Sequence, residues 1–196
     1  KMSQIHFVAT DEYKNRVVQL GEHPDRVFCV GGLGIDNICK LDLISKEGLE
    51  KELQFKFNKK NLLVTFHPVT LEPKTSEKYM HELLSALDEL EETNIIFTMP
   101  NADIDGDIIF KLIEEFVSRR DNVKAFKSLG QLKYLSCIKY IDAVIGNSSS
   151  GILEVPTFKK ATINIGNRQK GRVMADSVIN CEVRKESILN AIKDIK

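Results

Sequence analysis

Residues 140–172 read YIDAVIGNSSSGILEVPTFKKATINIGNRQKGR. The run Ala-Val-Ile at 143–145 is short and apolar, as a buried strand is. Gly146 and Asn147 interrupt it. Ser148, Ser149, Ser150 and Gly151 follow, then a short helix pattern over 152–158. A second apolar run, 161–165, stops at Gly166. A strand that feeds a helix through small hydroxyl residues makes a place for an anion. The N–H groups of the first turn have no intrahelical partner, and the aligned peptide dipoles put about half a positive charge there. The serines can add hydroxyl donors. Glu154, one turn in, is placed to take the hydroxyls of a polyol such as ribose, as acidic residues do in dinucleotide folds. Alternatively the serines only cap a helix and Glu154 is solvated. Spacing does not separate the two.

Outward from this stretch, strands and helices alternate. Apolar strands are expected at 62–66, 95–99 and 123–126, with helices at 76–92, 107–119 and 131–141 behind them. A strand at 178–181 and a helix at 185–195 close the pattern. Thr75 or Ser76 caps the helix over 76–92, and Leu83, Leu84, Leu87 and Leu90 fall on its inward side. This alternation predicts an α/β protein, a parallel sheet with helices on both faces. Toward the amino end a strand is expected at 5–10, then a helix from Thr10 or Asp11 to Leu20 with Gly21 behind it, then a strand at 27–30. Residues 31–36 read as a linker. GGLGIDN at 31–37 departs from the G-x-G-x-x-G fingerprint, because Asn37 stands at the third glycine. Residues 40–60 are charged and helical in character, with Ser45 as N-cap of a helix over 46–53.

Ligands of open parallel sheets bind outside the carboxyl ends of the strands. The residues that follow the strands here are polar: His67, then Asn101 after Pro100, then Lys127 and Ser128, then Asn147 and the serines, then Gly166, Asn167 and Arg168. Pro68 restricts His67 to extended backbone, which aims its ring at this rim. Strands end in polar loops in most proteins, so each residue also has a plain reading. His67 can be a structural hydrogen-bonder and Arg168 a surface arginine, although a guanidinium suits phosphate or carboxylate. Asp103, Asp105 and Asp107 resemble the start of a calcium loop. Gly106 is misplaced for one and an apolar helix follows, so they read as a loop and a helix start.

The chain has 28 basic and 28 acidic residues among 196, so no global field favours nucleic acid or an anionic membrane. At 42% hydrophobic residues it can bury a core. Cys29, Cys39, Cys137 and Cys181 have no metal-ligand spacing, so no metal is expected. They read as thiols in a reducing compartment, which predicts a cytoplasmic protein. No run is long and apolar enough to span a bilayer. Neither a Ser–His–Asp arrangement nor a convincing pair of catalytic carboxylates is present, so the catalytic residues are left unassigned, with His67 the one candidate.

NSSSGILEV at 147–155 and INIGNRQKGR at 163–172 resemble the nucleotide-binding segment of UDP-N-acetylglucosamine 2-epimerases, most closely the hydrolysing branch that makes N-acetylmannosamine for sialic-acid-type sugars. HPVT at 67–70 and HFVATDEYKNRVVQLGE at 6–22 match in the family's order. The resemblance implies a Rossmann-like sheet, the C-terminal half of a GT-B-type two-domain fold. Residues 1–30 would be the tail end of an N-terminal Rossmann-like domain, and 31–196 the nucleotide-binding domain, with the chain a fragment that also stops early. It further implies nucleotide contact by His67, Ser148, Ser149, Glu154 and Arg168, and by Asn101. Ser128 departs from a histidine found in some relatives. The partner would be UDP-GlcNAc or a related nucleotide sugar, with no cofactor, and the exposed interdomain face would favour a homo-oligomer. The donor-nucleotide domain of a GT-B glycosyltransferase, a non-hydrolysing epimerase and an α/β module without ligand are the competing readings.

Overall fold

The computed structural model describes residues 3–69, 75–100 and 106–195. The chain divides into two compact units, Lys1–Asp42 and Leu43–Lys196. Residues 31–42 therefore group with the first unit, whereas the sequence placed the change at 30/31.

In the first unit, β1 (His6–Val8) pairs in parallel with β2 (Val27–Cys29), His6 opposite Val27 and Val8 opposite Cys29. Helix α1 (Asp11–Gln19) lies between them in the chain. Thr10 caps it, its hydroxyl accepting from the Tyr13 N–H, and Gly21 follows with φ +93°. Helix α2 (Ile35–Lys40) occupies part of the stretch read as a linker. It turns inward one apolar residue, Ile38, which is buried. Phe7 and Phe28 stack side by side at 5.8 Å and stay exposed.

The second unit carries a six-stranded, wholly parallel sheet. Its elements in chain order are α3 (Lys46–Leu53), β3 (Lys60–Thr65), α4 (Ser76–Asp88), β4 (Thr93–Thr98), α5 (Gly106–Ser118), β5 (Val123–Phe126) and α6 (Gly130–Tyr140). Then come β6 (Ala143–Gly146), α7 (Ser150–Leu153), β7 (Ala161–Ile165), β8 (Val178–Cys181) and α8 (Lys185–Lys193). The central strands β4, β3, β6 and β7 are buried on both faces, as parallel strands between helix layers are, while the edge strands β5 and β8 are only partly covered. Leu62 and Val64, Ile95 and Phe97, Ala143 and Ile145, and Ile163 and Ile165 join one core with Met80, Leu83, Leu87, Ile109, Ile113 and Ile188. Their alternates Leu63, Ile96 and Val144 are buried as well. Ser45 caps α3 through the Gly48 N–H.

Two of the expected helices differ most from their predicted bounds. Helix α4 stops at Asp88, because the chain turns after Leu87 and Glu92 takes a left-handed φ of +48°. Leu90 still packs against the core from beyond the helix. Thr75 holds the cap position of α4 without a side-chain capping bond. The pattern over 152–158 is not one helix. It is α7 and then a 3-10 turn, Val155–Phe158. Pro156 has no N–H to donate back to Ile152 and so ends the α-helical ladder.

Candidate functional site

The strand order is β5-β4-β3-β6-β7-β8. From β3 the chain builds outward through β4 and β5. It then returns to the other side of β3 and builds β6, β7 and β8. The loops leaving β3 and β6 therefore diverge from neighbouring strands, which opens a crevice at their carboxyl ends. His67 follows β3 there, and Asn147 and the serines follow β6. The two strands come together at Thr65 and Gly146. Gly146 has φ +142°, and a Cβ on it would lie 1.9 Å from the Thr65 carbonyl oxygen. Only glycine permits this approach.

Asn147, 1% exposed, ties the rim together. Its Oδ1 accepts from the His67 N–H at 2.8 Å, and its Nδ2 donates to the His67 carbonyl at 2.8 Å. Its own N–H donates to the Thr65 carbonyl at 3.2 Å. Its carbonyl accepts from Arg168 Nη1 at 3.1 Å and from Gln169 Nε2 at 2.8 Å. One residue thus joins the loops after β3, β6 and β7. His67, Ser148, Ser149 and Arg168 stand on one rim as a result.

Ser149 immediately precedes α7, and its side chain makes no capping bond. Helix α7 is only four residues long, shorter than the 152–158 pattern predicts, and its aligned dipoles are correspondingly fewer. What the loop offers an anion is hydroxyls and backbone N–H groups. Ser148 Oγ accepts from the Ser150 N–H at 3.4 Å.

Beside this rim lies a hollow of about 420 Å³, lined by Thr65, His67, Thr98, Ser128, Tyr134 and Glu154 among others. Ser128 is exposed, and its hydroxyl oxygen accepts from the Gly130 N–H at 3.2 Å within its own loop. The hydroxyls of Thr65 and Thr98 are hydrogen-bonded to each other across β3 and β4. Tyr134 donates from its hydroxyl to Ser150 Oγ at 2.8 Å, and Ser150 Oγ in turn donates to Glu154 Oε2. Burial, reinforced by the Glu154 charge against the pull of the Ser150 bond, pushes the Tyr134 phenol up to about 12. Larger hollows, of about 560 and 570 Å³, lie by Asn180, Glu182 and Arg184 and by Lys60, Asp142 and Lys159. The 420 Å³ hollow alone among these combines His67 with a carboxylate and buried hydroxyls.

Of the residues singled out in the sequence, His67, Ser128, Ser148, Ser149, Glu154 and Arg168 fall around the crevice and its hollow. Asn101 lies outside the described residues, as do Thr70, Asp103 and Asp105. Asp107 sits in the first turn of α5. Tyr134, Gln169, Thr65 and Thr98 were not foreseen. For Tyr134 the only signal is a polar tip in a helix of mixed character.

The strand order and the polar crevice at its switch point define a Rossmann-like, doubly wound α/β protein. The family model of UDP-N-acetylglucosamine 2-epimerase matches residues 1–196. The chain belongs to that family. It is 44% identical over 184 residues to a GDP/UDP-N,N′-diacetylbacillosamine 2-epimerase (hydrolyzing) from Campylobacter jejuni, covering 93% of this chain and 48% of that one. It is 43% identical to the polysialic acid biosynthesis protein P7 of Escherichia coli, covering 98% of this chain and 49% of that one. Among solved structures, the S. aureus MnaA–UDP co-structure aligns with a TM-score of 0.77 at 16% identity, over 98% of this chain and 51% of that chain. The UDP-GlcNAc 2-epimerase from Neisseria meningitidis bound to UDP-GlcNAc aligns with a TM-score of 0.69 at 17% identity, over 97% and 52%. The fold is that of UDP-GlcNAc 2-epimerases of GT-B type, and the chain spans about half the length of the curated relatives it matches.

Proposed function

We propose that this chain is the UDP-binding part of a hydrolysing UDP-GlcNAc 2-epimerase. In that reaction UDP is eliminated across C1 and C2 of the sugar, leaving a 2-acetamidoglucal. Water then adds with inversion at C2 and yields N-acetylmannosamine. The supporting observation is the meeting of His67, Ser148, Ser149 and Arg168 around Asn147 at the β3–β6 crevice, with Glu154 in the adjoining hollow. In this reading His67, the two serines and Arg168 hold the diphosphate and stabilise it as it leaves. Glu154, an anion, serves the ribose hydroxyls. Ser128 contacts the nucleotide from the loop after β5, and Asn101 is a further nucleotide contact in this reading.

The first unit is read as the tail end of an N-terminal Rossmann-like domain that supplies the groups acting at C2. A parallel pair with Phe7 and Phe28 exposed side by side suits a sheet meant to be covered. The chain alone is then expected to bind UDP weakly, without turnover, and to self-associate through this apolar patch. Its four free thiols fit the cytoplasm.

Calorimetry tests the nucleotide reading. Glu154→Ala should weaken UDP by roughly tenfold to a hundredfold, the worth of a hydrogen bond to a charged acceptor, and leave pyrophosphate nearly unchanged. Equal losses for both ligands would remove the ribose contact. UDP-GlcNAc and UDP-N,N′-diacetylbacillosamine, assayed with the chain and with a version carrying an N-terminal domain, test the reaction and the sugar. Turnover by the chain alone at a comparable rate would put the catalytic groups within these residues.

A further inference from the structure

We propose that Tyr134 and Ser150 are positioning residues that fix the Glu154 carboxylate toward a vicinal diol and so set a preference for ribonucleotides over 2′-deoxyribonucleotides. The proposal rests on the reading that Glu154 serves the ribose. Three observations carry it.

First, the three groups form a hydrogen-bonded series, Tyr134 hydroxyl to Ser150 Oγ to Glu154 Oε2. Its direction is forced. Ser150 has a single hydroxyl hydrogen, and an ionised carboxylate can only accept. That hydrogen must go to Glu154, so the proton between Tyr134 and Ser150 is the tyrosine's. Tyr134 stays a donor at any physiological pH, since burial holds its phenol at about 12. Each donor in such a series strengthens the next bond.

Second, the series ends in a cavity. Tyr134 and Glu154 both line the 420 Å³ hollow, together with Thr65, Thr98 and His67. Ser150 stands four residues before Glu154, across α7 and the turn that follows, so the two share a side.

Third, the geometry leaves the carboxylate half used. Oε2 accepts from Ser150, and no described residue is hydrogen-bonded to Oε1. A free glutamate spreads over many rotamers, and fixing one costs entropy. The series meets that cost before a ligand arrives. It leaves Oε1 and one side of Oε2 for two donors, and the adjacent hydroxyls of a ribose are two donors at that spacing. A 2′-deoxyribose has lost one of them.

The test is calorimetry of the chain with UDP, 2′-deoxy-UDP and pyrophosphate, with folding checked by circular dichroism. Ser150→Ala and Tyr134→Phe should each weaken UDP by about three- to tenfold, weaken 2′-deoxy-UDP less, and leave pyrophosphate unchanged. Ser150→Thr keeps the hydroxyl and should retain the preference. In a Glu154→Ala background, Ser150→Ala should change nothing further, because the group it positions is gone. An unchanged ratio of UDP to 2′-deoxy-UDP in both hydroxyl-deleted variants would overturn the positioning role. A matching loss of pyrophosphate on Ser150→Ala would overturn it too, by making Ser150 a phosphate donor. If Glu154→Ala itself spares UDP, the ribose reading fails and the positioning fails with it, an outcome distinct from failure of the relay alone.

Discussion

Gly146→Ala is the change the crevice should tolerate least. Its φ of +142° lies where L side chains are rarely found, and holding alanine there costs about 1–3 kcal/mol. The new Cβ would also sit 1.9 Å from the Thr65 carbonyl oxygen and 2.7 Å from its carbon. These atoms are backbone within the β3–β6 pairing and have no rotamer in which to escape. The strands must part at their carboxyl ends. That costs the Asn147 N–H bond to the Thr65 carbonyl and the two hydrogen bonds between the Asn147 side-chain amide and the His67 backbone, each worth about 1 kcal/mol. The sum is about 4–6 kcal/mol, a large part of the total stability of an ordinary domain. Urea unfolding followed by circular dichroism measures it, and UDP calorimetry on the folded fraction measures the site. A loss below about 1 kcal/mol with UDP affinity intact would refute the claim that this contact sets the crevice.

Asn147→Ala should destabilise the unit by about 1–3 kcal/mol, because the partly buried His67 N–H loses its acceptor, and should weaken UDP and pyrophosphate together; denaturant midpoints and calorimetry report both. Stability should fall as pH rises above about 9. Burial raises Cys137 from 9.0 to about 12 and Cys181 from 9.0 to about 11, while Tyr134 rises from 10.0 to about 12. The folded state keeps these protons where the unfolded chain releases them, so their contribution is complete below the unfolded values and is lost toward the folded ones. Cys137→Ala should flatten that alkaline slope by up to about 1.4 kcal/mol per pH unit, read from urea curves at pH steps. A thiol reagent should label the exposed Cys29 and Cys39 quickly and the buried Cys137 only on unfolding, as mass spectrometry of timed samples would show.

Much of the element list was legible along the chain. The strands over 123–126, 161–165 and 178–181 and the helix over 46–53 with its Ser45 cap have the bounds their patterns predict. Apolar runs, caps and turn residues act within a few positions. Short-range exceptions were harder. Helix α2 is only six residues long and follows three glycines, and Pro156 cut a helix whose apolar pattern continued past it. That polar residues follow each strand was also readable, because it needs only the strand ends.

Which strand ends stand side by side was not readable. Nothing local states that β6 returns beside β3, yet this return makes the crevice. Gly146 meets Thr65, and Asn147 meets His67 from 80 residues away in the chain. Tyr134 reaches Ser150 and, through it, Glu154 from a different helix. The sequence alone determined the elements, the parallel α/β class and the family, since these rest on local periodicity and on motifs. The tertiary structure decided the rim, the Asn147 tie and the Tyr134–Ser150–Glu154 series. Those contacts depend on strand order, and strand order is settled by the packing of the whole sheet between its helices, not by any single stretch of chain.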